Sequence, residues 1–277
     1  MNRRKNRLWS KVLVVSVCVL VLALAAMAFI GWNYWHEQQK YNEVEDLGLT
    51  PAAEAGEVGF GVDWDALKAV NPDVVGWVYM PNTVINYPIV QTSDNTYYLH
   101  HNFWREGGWV AQVGCIFLAC ENKSDFSDAN NIVFGHHMNN GSMFCAIADM
   151  VNQDMFNSCR TVYVLTPAKD FKLRTFSLVH APSSNNLAQY SFANENQRQD
   201  YLAEIKSMSV VNADSVADTK DMTKTFMFST CDNLWSDGRY LLFAYVEREL
   251  TSIGAVAGGV DSSGEEAEVE SAAESVL

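Results

Sequence analysis

The stretch Thr225-Phe-Met-Phe-Ser-Thr-Cys231 combines a structural signal with a chemical one. Its aromatic and apolar residues are typical of a buried strand. It ends in a thiol, and the polar pair Asp232-Asn233 then begins a loop. A reactive side chain at the end of a strand is held by a rigid scaffold and still meets solvent. The stretch therefore predicts a strand that delivers Cys231 to the rim of the fold.

Other short apolar segments, separated by turn residues, predict about eight strands in all. Besides 225–230, they are 74–80, 84–90, 114–118, 131–134, 162–165, 171–179 and 240–246. Helical patches interrupt them at 143–150 and 195–208, and Asp63 fits the N-cap of a short helix that ends before Asn71-Pro72. Many short strands with few helices predict a mainly β fold, organised as a closed or nearly closed barrel.

The N-terminus carries the features of a membrane anchor. Five basic residues precede an uncharged, mostly apolar run at 12–35, whose 24 residues exceed the ~20 needed to span a bilayer. The basic cluster predicts a cytoplasmic N-terminus and an extracellular domain. Small-x-small triplets at 23–25 and 26–28 leave a cleaved signal peptide as the alternative, although the apolar run continues well past them. We expect an uncleaved anchor.

The remaining chain divides into three parts by composition. A polar stalk and linker at 36–62 precedes the folded domain at 63–250, and an acidic tail at 251–277 is expected to be disordered. The last 17 residues hold six of the acids and no Lys or Arg, so the net charge of −14 leaves −8 for the remainder. An acidic chain of this kind excludes a nucleic-acid binder, which needs a basic footprint.

The spacing of histidines and cysteines does not favour a metal site. His100-His101 and His136-His137 are adjacent pairs, and neither a helical i, i+4 His pair nor a CxxC occurs. We expect no metal or other cofactor. Cys115, Cys120, Cys145 and Cys159 are expected to be packing residues. Disulfides among the extracellular cysteines and a fully reduced set both remain open.

A second stretch, Ile132-Val-Phe-Gly-His136, also ends a strand in a reactive side chain, and Arg239 opens the strand that follows the Cys231 loop. A cysteine needs a lowered pKa to attack at neutral pH, and neighbouring cationic groups provide it. A guanidinium also stabilises charge on a tetrahedral intermediate. Cys231, His136 and Arg239 therefore supply the side chains that a nucleophilic site needs.

These segments resemble the class B sortases over about residues 64–247. The family's Thr-Leu-x-Thr-Cys strand is matched by Met227-Phe-Ser-Thr-Cys231, its catalytic His after a strand-ending Gly by Gly135-His136, and its Arg by Arg239. Segments 71–77, 86–90, 97–99 and 137–144 are similar as well. Met227 and Phe228 depart from the family's Thr-Leu, and Ala119-Cys120 stands where related sequences often carry Asp.

The resemblance implies an eight-stranded sortase barrel and a membrane-anchored cysteine transpeptidase. Cys231 would be the nucleophile, His136 the acid/base and Arg239 the electrostatic stabiliser, with Ser229 and Thr230 expected to contact substrate. The implied partners are surface proteins with a C-terminal sorting pentapeptide and the amine of the peptidoglycan precursor lipid II. In pilus-building members a pilin Lys is the acceptor instead. The segment 183–193 and the helix 195–208 are the candidate specificity elements.

Two other function classes fit some of these residues. A cysteine hydrolase of the papain or cell-wall amidase kind has a Cys and a His, but there the Cys typically precedes the His in the chain. Here His136 comes 95 residues before Cys231. A non-catalytic, membrane-tethered binding domain would keep its role after Cys231→Ala.

Overall fold

The computed structural model describes residues 2–51, 58–107, 114–185, 187–231 and 238–251. Strands β1 (Leu49–Pro51) and β2 (Phe60–Val62) form a small separate sheet, and eight further strands form a closed barrel, which confirms the predicted fold class. In chain order the barrel strands are β3 (Val74–Tyr79), β4 (Asn86–Val90), β5 (Ile116–Leu118), β6 (Asn130–Phe134), β7 (Thr161–Leu165), β8 (Lys169–Pro182), β9 (Thr225–Cys231) and β10 (Gly238–Thr251). Each corresponds to one of the segments predicted from the sequence.

The strands follow each other around the barrel in the order β10-β8-β7-β3-β4-β5-β6-β9. The β4/β5 and β6/β9 pairs are parallel and the other neighbours are antiparallel. Strand β9 is apolar on both faces. Phe226 and Phe228 belong to the main core, whereas Met227 packs in a second cluster on the other face. This period of two is the alternation expected of a strand.

Helices cover the outside of the barrel and its connections. They are α1 (Asn2–Gly48), α2 (Trp64–Val70), α3 (Tyr97–His100), α4 (Cys145–Asp149), α5 (Gln153–Ser158) and α6 (Glu195–Ser207), with a 3-10 turn at Thr219–Asp221. Asp63 caps α2 as predicted, since its side chain accepts from the Ala66 N–H. Helix α6 packs Tyr201, Leu202 and Ile205 into the second cluster, which is the face predicted from their spacing. The sequence interpretation did not include α3 or α5.

Helix α1 continues without a break from the apolar run into the polar segment after it. By length and composition it is able to cross a membrane, and its most apolar window makes no buried contact with the rest of the chain. Its C-terminal part is different, because Tyr41 and Val44 are buried in the barrel's main core. A two-stranded sheet of β1 (Leu49–Pro51) and β2 (Phe60–Val62) follows.

Tyr41 and Val44 fall within the predicted linker at 36–62, so the structure packs part of that segment against the barrel. The predicted division into anchor, linker, domain and tail otherwise remains a prediction. Strand β10 ends at Thr251, and the acidic tail beyond it lies outside the described residues, as do 52–57 of the predicted joint.

Candidate active site

The strand register brings the three predicted catalytic positions to one end of the barrel. Strands β6 and β9 are parallel, with Phe134 opposite Ser229, and the Gly135 N–H donates to the Ser229 carbonyl at 3.0 Å. His136 and Cys231 therefore follow at equivalent positions beyond this pair. On the other side of β9, Arg239 is the direct Cα partner of Cys231. The end of β6 thus meets the end of β9 and the start of β10 at one rim, although β6 lies far from both in the sequence.

His136 is held from both its backbone and its ring. The Phe144 N–H donates to the His136 carbonyl at 2.9 Å, and the Nε2 atom lies 2.7 Å from the Leu99 carbonyl oxygen. Burial lowers the pKa of His136, the Leu99 hydrogen bond opposes that shift, and the nearby His100 adds to it. The shift favours the neutral imidazole, which is the form that accepts a proton.

Gly135 has a steric reason to precede this histidine. A Cβ built there would lie 2.4 Å from Ile116 Cδ1 and 2.6 Å from Phe144 Cδ2, so a larger residue would force the strand end apart. The next residue, His137, instead forms an isolated backbone bridge with Met143 across the following loop. The two adjacent histidines therefore have different backbone environments.

Arg239 lies where three strands meet. It pairs with Cys231 of β9 and with Ala181 of β8, and its side chain is partly exposed. Pro182 is the Cα partner of Gly238, so the predicted specificity segment at 183–193 leaves β8 beside Arg239. The connecting loop 232–237 lies outside the described residues, and so does the Cys231 side chain.

Ser229 and Thr230, the two predicted substrate contacts, are almost completely buried, with exposed fractions of 3% and 1%. Thr230 is paired with Tyr240, which packs against the barrel's main core. The Thr230 hydroxyl oxygen is buried, and no described residue offers it a hydrogen bond. Direct contact between substrate and the Thr230 hydroxyl would need a rearrangement of this strand end. A role for either residue in substrate binding remains a prediction.

Two residues that the sequence interpretation did not single out support the His136 ring. The Tyr41 hydroxyl on α1 donates to the Gly114 carbonyl, and Gly114 has a positive φ of 58°. A Cβ on Gly114 would lie 2.7 Å from His136 Cδ2, so the glycine backbone packs directly on the imidazole. The sequence contains no local signal for this contact, because Gly114 is one of 16 glycines and Tyr41 lies 95 residues before His136.

Three of the other cysteines, Cys115, Cys120 and Cys145, have environments that disfavour a thiolate. Cys18, Cys115, Cys120, Cys145 and Cys159 are all free thiols. Burial raises the pKa of Cys115 to about 12, and it also raises the pKa values of Cys120 and Cys145. A thiol with a raised pKa is a poor nucleophile at neutral pH. The Cys115 Sγ atom also lies 3.4 Å from the Tyr41 hydroxyl oxygen.

Comparison with known proteins finds similarity to sortase B proteins. The chain is 30% identical over 220 residues to "Sortase B" of Listeria monocytogenes, covering 76% of this chain and 87% of the relative. The crystal structure of Clostridium perfringens sortase B superposes with a TM-score of 0.61 at 29% identity, covering 68% of this chain and all of that one. A Bacillus anthracis protein described as similar to sortase B gives a TM-score of 0.66 at 27% identity, with 79% and 97% covered. No protein-family model matches the chain.

Proposed function

This chain belongs to the class B sortases, which are cysteine transpeptidases, and from that premise we propose that Cys231, His136 and Arg239 form its catalytic site. The observation that carries the proposal is the register at the barrel rim. Cys231 and Arg239 are direct partners, and His136 occupies the equivalent position on the parallel neighbour of β9.

In the proposed first step, the neutral His136 takes the proton of the Cys231 thiol, and the resulting thiolate attacks the Thr carbonyl carbon of a sorting pentapeptide. A C–S bond forms, and the carbonyl π electrons move to the oxygen, where the Arg239 guanidinium stabilises the negative charge. When the intermediate collapses, the C–N bond breaks and His136 gives a proton to the departing amine. The product is a thioacyl enzyme and a released C-terminal fragment.

In the second step, an amine attacks the thioacyl carbon while His136 accepts its proton. The C–S bond breaks, the Cys231 thiolate leaves, and a new amide joins the surface protein to its acceptor. We propose lipid II as the acceptor, through the amine of the peptidoglycan precursor. An anchored enzyme suits this substrate, because the apolar part of α1 would hold the domain at the membrane face where a lipid-linked precursor resides.

The proposal is tested with the full chain in detergent micelles or nanodiscs. It is incubated with a library of Thr-containing sorting pentapeptides and a soluble amine that mimics the precursor. We expect cleavage after Thr and transfer to the amine, and loss of both in Cys231→Ala. Cys145→Ala is the matched control, since it removes a partly exposed thiol that has no proposed role in the reaction.

Circular dichroism establishes that each variant is folded. A folded wild-type chain that cleaves none of the peptides would refute the proposed reaction. Cleavage that persists in Cys231→Ala would refute the assignment of the nucleophile.

A further inference from the structure

A pocket of about 300 Å³ opens on the barrel wall, well away from the candidate active site. It is formed by the turn after β3, the end of α5, the start of β7 and the middle of β8. Its charged and polar lining includes Arg160, Arg174, Asn82, Asn157, Ser158 and Thr161. Arg174 and Ala181, the partner of Arg239, are seven residues apart on β8, or roughly 23 Å at the rise of a strand.

The charge of this pocket is opposite to that of the chain. Its lining contains two arginines and neither Asp nor Glu, whereas the chain as a whole has a net charge of −14. Among the residues that the structure describes, the Arg174 side chain makes no hydrogen bond or ion pair, and the Arg160 side chain makes hydrogen bonds but no ion pair. The positive charges of Arg160 and Arg174 repel each other, and a bound anion would relieve this repulsion.

Arg160 is built into the wall and is only 7% exposed. Its Nε donates to the Thr175 carbonyl at 3.0 Å, one terminal nitrogen donates to the same oxygen at 2.6 Å, and the other reaches the Asp214 carbonyl at 3.3 Å. These acceptors are neutral, so they fix the position of the guanidinium without neutralising it. Burial lowers the pKa of Arg160, and the charge of Arg174 adds to this effect, while the Asp214 carboxylate opposes it.

Arg174 faces the same pocket from the neighbouring strand. It is the Cα partner of Thr161, the residue after Arg160, and the Arg160 carbonyl accepts from the adjacent Thr175 N–H at 2.9 Å. The Arg174 guanidinium is partly exposed. One rigid and one accessible guanidinium together form a cradle suited to an oxyanion.

We propose that this pocket binds a phosphate group between Arg160 and Arg174. Phosphate is favoured over a carboxylate because it carries close to two negative charges near neutral pH and presents oxygens to both guanidinium groups. The cavity has room for more than the phosphate itself, so a phosphate ester fits as well as the free ion.

The test is calorimetric titration of the full chain in neutral detergent with inorganic phosphate, at constant ionic strength. We expect saturable binding that weakens about tenfold or more in Arg174→Gln, the loss expected from a charge-assisted contact. Arg248→Gln is the matched control, because it removes the same charge from an exposed site on β10 and should bind like the wild type. Acetate should bind more weakly than phosphate.

A thermal unfolding scan without phosphate checks that Arg174→Gln is folded, since Arg160 carries the structural hydrogen bonds. Repeating the titration in phosphatidylglycerol and phosphatidylcholine nanodiscs separates two sources of the ligand. Both lipids carry a phosphate diester, but only phosphatidylglycerol has a net negative charge, so a lipid phosphate would compete with inorganic phosphate more strongly in the phosphatidylglycerol discs. A soluble ligand would show no competition from either lipid. Absence of phosphate binding by the wild type, or equal weakening in both Arg variants, would overturn the proposal.

Discussion

Substituting Gly114 by alanine should damage both catalysis and folding. Gly114 has a φ of 58°, which a residue with a Cβ adopts at a cost of roughly 1–2 kcal/mol. Its Cβ would lie 2.7 Å from His136 Cδ2 and 2.7 Å from the Tyr98 carbonyl oxygen. Overpacking of this kind costs about 1–3 kcal/mol, so the total loss in the free energy of unfolding is about 2–5 kcal/mol.

The imidazole is the more movable of the two groups that the new methyl would meet, because the Tyr98 oxygen belongs to the backbone. Its displacement would lengthen the 2.7 Å contact between His136 Nε2 and the Leu99 carbonyl. A shift of about 1 Å in a catalytic group lowers the rate by roughly a hundredfold. We therefore expect kcat/KM for peptide cleavage, measured per folded molecule, to fall by about that factor.

Gly59→Ala is the matched control for this experiment. Gly59 has a φ of 82°, but a Cβ there would have no atom within 4 Å. It should lose roughly 1–2 kcal/mol of stability from the backbone strain and keep its activity within about twofold. Denaturant unfolding and a fluorogenic peptide assay on both variants separate the two effects. Equal activity in Gly114→Ala and Gly59→Ala would show that the Gly114 backbone does not position His136.

Four further outcomes are expected. His136→Ala should lower kcat/KM by about 10²–10⁴-fold, and His137→Ala should change it only a few-fold; the reverse order would exchange their roles. The pKa of His136 is lower in the folded state than its ordinary value of about 6.5, so between these two pKa values the unfolded chain binds more protons than the folded one. The free energy of unfolding should therefore fall as pH drops through about 6.5 and level off below the folded pKa. His136→Gln should remove that part of the pH dependence in urea titrations. Thr230→Val should leave stability unchanged or raise it by up to about 1–2 kcal/mol, since the hydroxyl has no partner among the described residues, and a clear loss would indicate a hydrogen bond to the loop 232–237. Tyr41→Phe should lower the free energy of unfolding by about 1–3 kcal/mol, because it leaves the Gly114 carbonyl without its donor, and unchanged denaturation curves would contradict this.

The barrel strands were predictable because each is a short apolar segment bounded by turn residues, and burial selects for that pattern directly. Strand β9 is the clearest case, since its two Phe residues and Met227 separate onto opposite faces. Strand ends were less predictable: β8 and β10 each extend to 14 residues, well beyond their apolar segments. Ladder hydrogen bonds continue there with polar side chains in solvent, so hydrophobic pattern does not mark the limit.

Helix α1 shows a different limit of the sequence. Its apolar run is long enough to indicate a membrane span, and the polar part after it has the composition of a solvent-exposed stalk. The structure places Tyr41 and Val44 of that polar part in the barrel core. Two buried residues among many polar neighbours are too few to give a periodic signal, so the docking of this segment depends on the surface that receives it.

Eight strands, an apolar N-terminal helix, and the placement of Cys231, His136 and Arg239 at strand ends could all be predicted from the sequence. These follow from local composition and from a resemblance carried by short motifs. Proximity follows only from the tertiary structure. The parallel pairing of β6 with β9 brings together strands that are not neighbours in the chain, and the register that places Arg239 opposite Cys231 is set where the consecutive strands β9 and β10 pair. The contact of Gly114 with His136 and the shared pocket of Arg160 and Arg174 likewise form only when the chain packs.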